Sequence, residues 1–255
     1  MPIQIAVAGK GGTGKTSFCA LLIRHLAALG QTPILAVDAD ANANLHEALG
    51  MEHGAKTVSE LIEATKDPAK IPGGMGQDAY IEYMLSGSLS ETKDVDLLVM
   101  GGPQGPGCYC YPNNILRKYL GRLESSYKYI VVDNEAGLEH ISRRTTQNVD
   151  YMFVVSDASA RSIRSAGRVK RLLEGVKTQV RSLYLVMSKT DDAGLAMLEA
   201  EIKATGLELA GCVPHDAVLA ALDLAGRALT SLPADAPSAT AVRAIAERVG
   251  IPGKS

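Results

Sequence analysis

The sequence predicts an α/β fold: one domain over residues 1–255, with a mostly parallel central sheet flanked by helices on both faces. Two observations carry this. Short β-branched runs alternate with longer helical patterns over the whole chain, the signature of repeated strand–helix units. The strands are near-continuous apolar runs, the pattern of strands buried on both faces. No linker-like segment divides the chain, and no internal repeat is visible.

The elements follow in order. "IQIAVAG" (3–9) is the first strand and ends in a glycine-rich loop that opens a helix over 15–29. "PILAVD" (33–38) is the second strand, followed by helices over 42–49 and 58–65. "KDPAKIPGGMG" (66–76) is a loop by its Gly and Pro content. "DLLVMG" (96–101) and "YIVVD" (129–133) are strands separated by a helix over 113–124. A helix over 139–147 leads to the strand "YMFVVSD" (151–157), then a helix over 160–175 and the strand "SLYLVMSK" (182–189). A helix over 191–204, the strand "LAGCVP" (209–214), the loop "LPADAPS" (232–238) and a helix over 238–249 complete the chain.

Composition removes some classes of function. The net charge is −2, so bulk electrostatics draws the protein to neither nucleic acid nor acidic lipid. No apolar run approaches the ~20 residues that span a bilayer. "MPIQIAVAGK" is too short for a signal peptide and lacks its basic flank. The expectation is a cytoplasmic protein with reduced thiols, in which paired cysteines point to metal or redox chemistry.

Gly9-Lys10-Gly11-Gly12-Thr13-Gly14-Lys15-Thr16 follows a strand and opens a helix. It fits both the dinucleotide fingerprint (Gly9, Gly11, Gly14, with Asp38 as the acid) and the phosphate loop G-x-x-x-x-G-K-[ST]. Lys15 and Thr16 decide for the phosphate loop. A triphosphate site needs a lysine and loop amides (Gly11 to Ser17) on the phosphates, and a hydroxyl on Mg²⁺. A dinucleotide loop has no need of that Lys-Thr pair. The domain is therefore expected to have the P-loop NTPase fold. Asp38, Asp40 and Asp133 stand at the ends of strands, where carboxylates face the ligand crevice of an open α/β sheet. Each of these acids taken singly could instead be a helix cap or turn residue.

Lys10, which an ordinary phosphate loop does not require, makes "KGGTGKT" resemble the deviant phosphate-loop ATPases, which include the nitrogenase iron protein, MinD and ParA. The resemblance implies that Lys10 reaches across a dimer interface to the partner's nucleotide and stabilises transition-state charge, as an arginine finger does. It also implies that "AVDADANANL" (36–45) is switch I, with Asp40 orienting water and Asp38 supporting the metal. Asp133 would be the Walker B acid on Mg²⁺, and Gly137 the switch II glycine that senses the γ-phosphate. Ser188 stands where this family commonly has an adenine-reading Asn, which leaves the base contact open. "VPHD" (213–216), with Pro214, is similar to the family's adenine-packing loop, so ATP is favoured.

Cys108 and Cys110 lie in "GGPQGPGCYCYPNN" (101–114), just before a helix start. Thiolates near a helix N-terminus have lowered pKa values and bind metal more readily. Two cysteines two apart in extended backbone point opposite ways, so one chain alone is a poor four-coordinate site. A twofold dimer would bring together four sulfurs for a soft-binding metal. The same sulfurs suit nickel, zinc or an iron–sulfur cluster. Cys19 and Cys212 fall in apolar patterns and are read as core; His25, His46 and His53 are read as helix-surface or loop residues.

The phosphate loop, "GCYCYPNN" and "VVDNEAGLEHISRRT" together closely resemble the CooC-type accessory ATPases of nickel carbon monoxide dehydrogenase maturation. This resemblance implies an ATP-dependent homodimer that binds Ni²⁺ through Cys108 and Cys110 and delivers it to the dehydrogenase. Two other readings stand beside it. One is a ParA- or MinD-like positioning ATPase acting on DNA or a protein partner, favoured by Arg161, Arg164, Arg168 and Arg171 at helical spacing. The other is an iron–sulfur cluster carrier.

Overall fold

The computed structural model describes residues 1–52, 56–64, 71–101, 121, 123–134, 148–174 and 179–252. The strands are β1 (Ile3–Gly9), β2 (Ile34–Ala39), β3 (Leu89–Ser90), β4 (Val95–Val99), β5 (Tyr129–Asn134), β6 (Asn148–Asp157), β7 (Gln179–Ser188) and β8 (Glu208–Val213). The helices among the described residues are α1 (Lys15–Ala28), α2 (Leu45–Leu49), α3 (Val58–Ala64), α4 (Gln77–Ser86), α5 (Ala160–Glu174), α6 (Asp192–Met197), α7 (Glu199–Ala204), α8 (Ala217–Leu224) and α9 (Pro237–Arg248).

The strands form an eight-stranded sheet in the order β3-β4-β2-β5-β1-β6-β7-β8. Every pairing is parallel except β3 with β4. β1 lies between β5 and β6; β6, β7 and β8 extend from it in chain order on one side, and β5, β2, β4 and β3 on the other. That reversal opens a crevice at the carboxyl ends of the strands, where open α/β sheets bind ligands.

The alternation of side chains across a strand sorts the core into two faces. Ile5 and Val7 of β1 pack with Phe18, Leu22 and Leu26 of α1 and with Val242 and Ile245 of α9. Ala6 and Ala8 point the other way, toward Ile163, Ala166 and Val169 of α5. On that same second face, Leu35 and Val37 of β2 meet Val58 and Leu61 of α3 and Ile81 and Leu85 of α4. A strand buried on both faces must be apolar at every position, which is what the sequence pattern shows. In a chain without Trp the aromatic packing is sparse. Phe18 of α1 tilts against Phe153 of β6 at a ring separation of 5.1 Å.

Every expected strand is present, with ends within three residues of those read from sequence. Three elements differ. The helix expected over 42–49 shrinks to α2, because the stretch after Asp40 is turned by side-chain bonds described below. The helix expected over 191–204 is two helices, α6 and α7, divided at Leu198, which leaves helical geometry. The last helix starts at Pro237, a residue preset for a first helical turn. Two helices were not expected. In α4, Ile81 and Leu85 make a short buried stripe beside a glycine-rich loop. "AVLAALDL" of α8 has almost no polar face and so no helical periodicity to detect. Its real signal is Asp216, which accepts from the Val218 and Leu219 amides as an N-cap. Of the expected helices, 139–147 lies outside the described residues, as does 113–124 apart from its last turn.

Gly9 fixes the end of β1. Its φ is +149°, and a Cβ there would overlap the Val155 carbonyl oxygen of β6. Gly9→Ala therefore forces β1 and β6 apart at the mouth of the sheet. We expect a loss of about 2 kcal/mol or more of stability, read by urea unfolding.

Candidate functional site

The loop from Lys10 to Gly14 is tied from several directions. Thr13 is fully buried, and its hydroxyl donates to the Lys10 carbonyl at 2.7 Å. In β1, which leads into the loop, the Val7 carbonyl accepts from Asn134 Nδ2 at 3.0 Å. From β7, the Ser188 hydroxyl donates to the Thr13 carbonyl at 2.7 Å. Gly14 caps α1 in the left-handed conformation (φ 87°) with no side-chain cap hydrogen bond. The first amides of a helix lack intrahelical partners, and their positive end of the dipole attracts an anion. Lys15, only 6% exposed, roots in the same turn. Gly11 to Ser17 all line one cleft of ≈ 900 Å³. Opposite them, the cleft is lined by Pro214, His215 and Asp216 after β8, by Leu219 of α8, and by Arg227. Lys10 is exposed and is not among the lining residues.

The three acids separate into distinct environments. The parallel register sets Asp38 beside Asp133 across β2 and β5. Asp133 is 1% exposed. The Thr16 hydroxyl donates to its Oδ2 at 2.5 Å, while its Oδ1 is enclosed with no hydrogen-bond partner among the described residues. Burial pushes this carboxyl up to about 7 against the pull of the Thr16 hydrogen bond, and the nearby Asp38 charge pushes the same way. A buried carboxylate with an orphaned oxygen beside a hydroxyl is the donor chemistry a hard divalent cation takes. Thr16 and Asp133 thus fit Mg²⁺, which would supply charge neutralisation for bound phosphates.

Asp38 is fully buried, but both its oxygens are committed to backbone. Oδ1 accepts from the Asp40 amide at 3.1 Å and Oδ2 from the Leu45 amide at 2.8 Å. Burial raises this carboxyl above the ordinary range, and those two amides pull it partly back. Asp38 therefore shapes the turn that presents Asp40, as a turn-holding acid would. Asp40 is half-buried, lines the cleft, and accepts from both the Asn42 amide and its side chain at 2.9 Å.

Ser188 is buried, and its hydroxyl is turned into the phosphate loop. Pro214 does line the cleft, as the "VPHD" reading expects. Asp216 ties α8 to α9 by accepting from the Ser238 amide and hydroxyl at 3.1 and 2.7 Å. Burial works against ionisation of Asp216, but the bonds from Ser238, Leu219 and Val218 outweigh it and hold the carboxyl below its usual range. The roles of Lys189, Asn134 and Ser238 were not read from sequence. Only "MSKTD" carried a signal, because it ends a strand beside the loop.

Cys108, Cys110, Gly137, Glu139 and His140 lie outside the described residues. Among the described residues, no group of three or more His, Cys, Asp or Glu could hold a metal ion. Cys19 is fully buried and burial raises its thiol pKa; Cys212 is half-buried against the second face of the core. His25 is more enclosed than a surface histidine. Its Nε2 is buried without a partner among the described residues, and burial lowers its pKa. Arg161, Arg164, Arg168 and Arg171 are all exposed on α5. Among the described residues, no helix is long and apolar enough to cross a membrane.

Residues 5–229 match the model of the CobQ/CobB/MinD/ParA nucleotide binding domain. The chain belongs to that family. It is a P-loop ATPase of the MinD/ParA kind, and ATP or ADP with Mg²⁺ is the ligand set expected of that family. An uncharacterized ATP-binding protein of Methanocaldococcus jannaschii is 43% identical over 248 residues, covering 96% of this chain and 97% of the relative. The carbon monoxide dehydrogenase accessory protein CooC of Rhodospirillum rubrum is 30% identical over 265 residues, covering 97% and 98%. The MinD cell division protein of Aquifex aeolicus superposes with a TM-score of 0.71 at 23% identity, over 100% of this chain and 98% of that one.

The Asp133 environment gives a pH signature. Without divalent cation, the folded state holds the Asp133 proton up to about pH 7, while an unfolded Asp releases it near pH 4. Between those values the folded state binds more protons, so this group's contribution to stability falls as pH rises, and the full penalty stands above pH 7. Asp133→Asn should be more stable than the parent at pH 8 in chelator, with the difference vanishing toward pH 4. Urea unfolding at the two pH values checks this.

Proposed function

We propose that this ATPase is a nickel-delivery factor for carbon monoxide dehydrogenase, working as a nucleotide-dependent dimer. The observation that carries the reading is the likeness to the Rhodospirillum accessory protein over nearly the whole of both chains. The "GCYCYPNN" stretch supports it with two soft ligands per chain. In this reading Lys15 and the amides of Gly11 to Ser17 hold the phosphates. Thr16 and Asp133 hold Mg²⁺, and Asp40, on the turn shaped by Asp38, positions the attacking water. Gly137 senses the γ-phosphate, and Pro214 packs the base. The exposed position of Lys10 outside the cleft lining supports a role in the partner's site. Cys108 and Cys110 of two chains together bind the metal cargo. Zinc is the competing occupant, because it suits the same thiolates. ATP closes the dimer and raises metal affinity; hydrolysis opens it and releases the metal.

Ni²⁺ binding to reduced protein, with and without ATP or ADP and with mass read by light scattering, tests this. The expected result is one metal per dimer, lost in Cys108→Ala/Cys110→Ala while ATP binding persists. Lys10→Ala should impair hydrolysis and dimerisation together; if both survive, Lys10 does not act in trans.

One observation favours a second reading, a positioning ATPase acting on DNA or a protein partner. Arg161, Arg164, Arg168 and Arg171 share one face of α5, and none has a hydrogen-bond or ion-pair partner among the described residues. ATP-dependent dimers that bind duplex DNA and no metal would select that reading.

A further inference from the structure

Two consecutive residues at the end of β7 grip two consecutive carbonyls of the phosphate loop. Ser188 donates to Thr13 at 2.7 Å, and Lys189 Nζ donates to Gly12 at 3.0 Å. Lys189 has a φ of +56°, one of two positive-φ non-glycine residues, with Ala43, among the described residues. A left-handed lysine costs about 1–2 kcal/mol against ordinary backbone. What that conformation achieves is visible. The Lys189 amide donates to the Val213 carbonyl at 2.8 Å, while its side chain turns back to the loop. One residue thus links the phosphate loop to the strand end that leads into Pro214, His215 and Asp216 on the far side of the cleft.

Stability does not explain this arrangement. Lys189 is exposed, and an exposed ammonium on a single carbonyl contributes little to folding. Gly or Asn would take the same φ at lower cost. Strain kept without a stability return belongs to sites where it serves binding. The chemistry of the loop supplies the reason. In a planar trans peptide the carbonyl and the following N–H point opposite ways. Holding the Thr13 carbonyl on Ser188 turns the Gly14 N–H away from β7, and holding the Gly12 carbonyl fixes the adjoining peptide. The Gly14 amide is then set for phosphate before a nucleotide arrives, the Thr13 amide is held on the Lys10 carbonyl at 3.4 Å, and the Lys189 ammonium adds positive charge at the loop's edge.

We infer that Lys189 is a positioning residue for nucleotide: it presets the phosphate loop and couples its shape to the Pro214–Asp216 side of the cleft. The inference rests on ATP binding at this loop and is independent of the metal cargo.

The full-length protein is titrated with ATP and ADP, and hydrolysis is followed at varied ATP, for Lys189→Met, Lys189→Asn and Lys189→Arg. Asn tolerates the left-handed backbone, so Lys189→Asn keeps the fold and isolates the ammonium. Both Met and Asn variants should raise the Kd for ADP and the KM for ATP about tenfold, the worth of one charge-assisted hydrogen bond, with kcat changed less than about twofold. Lys189→Arg should restore most of the affinity. The melting temperature of nucleotide-free Lys189→Asn should equal or exceed that of the parent. An unchanged Kd in Lys189→Asn overturns the inference. So does a fall in kcat with KM unchanged, which would make Lys189 catalytic, or weakened binding that tracks a lowered melting temperature, which would make it merely structural.

Discussion

The constraint on which the rest of the structure depends is the start of α1. Its first amides must stay free for an anion, so no side chain caps it and Gly14 closes the turn instead. A loop left open in this way has no internal reason to hold one shape. Its order comes from strands distant in sequence: Ser188 and Lys189 at the end of β7 hold the loop itself, while Asn134 on Val7 and the close approach of Gly9 to Val155 hold the strand that leads into it. Parallel pairing puts all of these donors at the same edge of the sheet, because every parallel strand ends on the same side. The fold therefore acts as a frame for one loop.

The same geometry explains how three carboxylates near one another can have different work. Asp133 keeps one oxygen enclosed with no partner among the described residues, Asp38 gives both oxygens to backbone amides, and Asp40 stays half-buried at the cleft. A buried acid with an unmet oxygen is costly without a cation, whereas a buried acid holding amides is a structural brace. Membership of the MinD/ParA family explains why this frame suits ATP.

Sequence was most informative where chemistry and local structure coincide. The loop glycines, Lys15, Thr16 and the acids at strand ends were legible because a phosphate site needs those residue types at those spacings. The strands were legible because burial on both faces forces apolar runs. α8 was not, because its cap, Asp216, stands before a run with no polar face. The split between α6 and α7 was not, because nothing in "AMLEAE" marks Leu198 as a break.

By itself, then, the sequence determined the α/β class, the order of the strands along the chain, the phosphate loop and the identity of the acids near it. Each is a local matter of residue type, spacing or periodicity. Only the tertiary structure decided the strand order in the sheet, the hold of Asp38 on the Asp40 and Leu45 amides, and the grip of Ser188 and Lys189 on residues some 175 positions away. Those depend on which strand ends meet in space, and a local pattern carries no record of that.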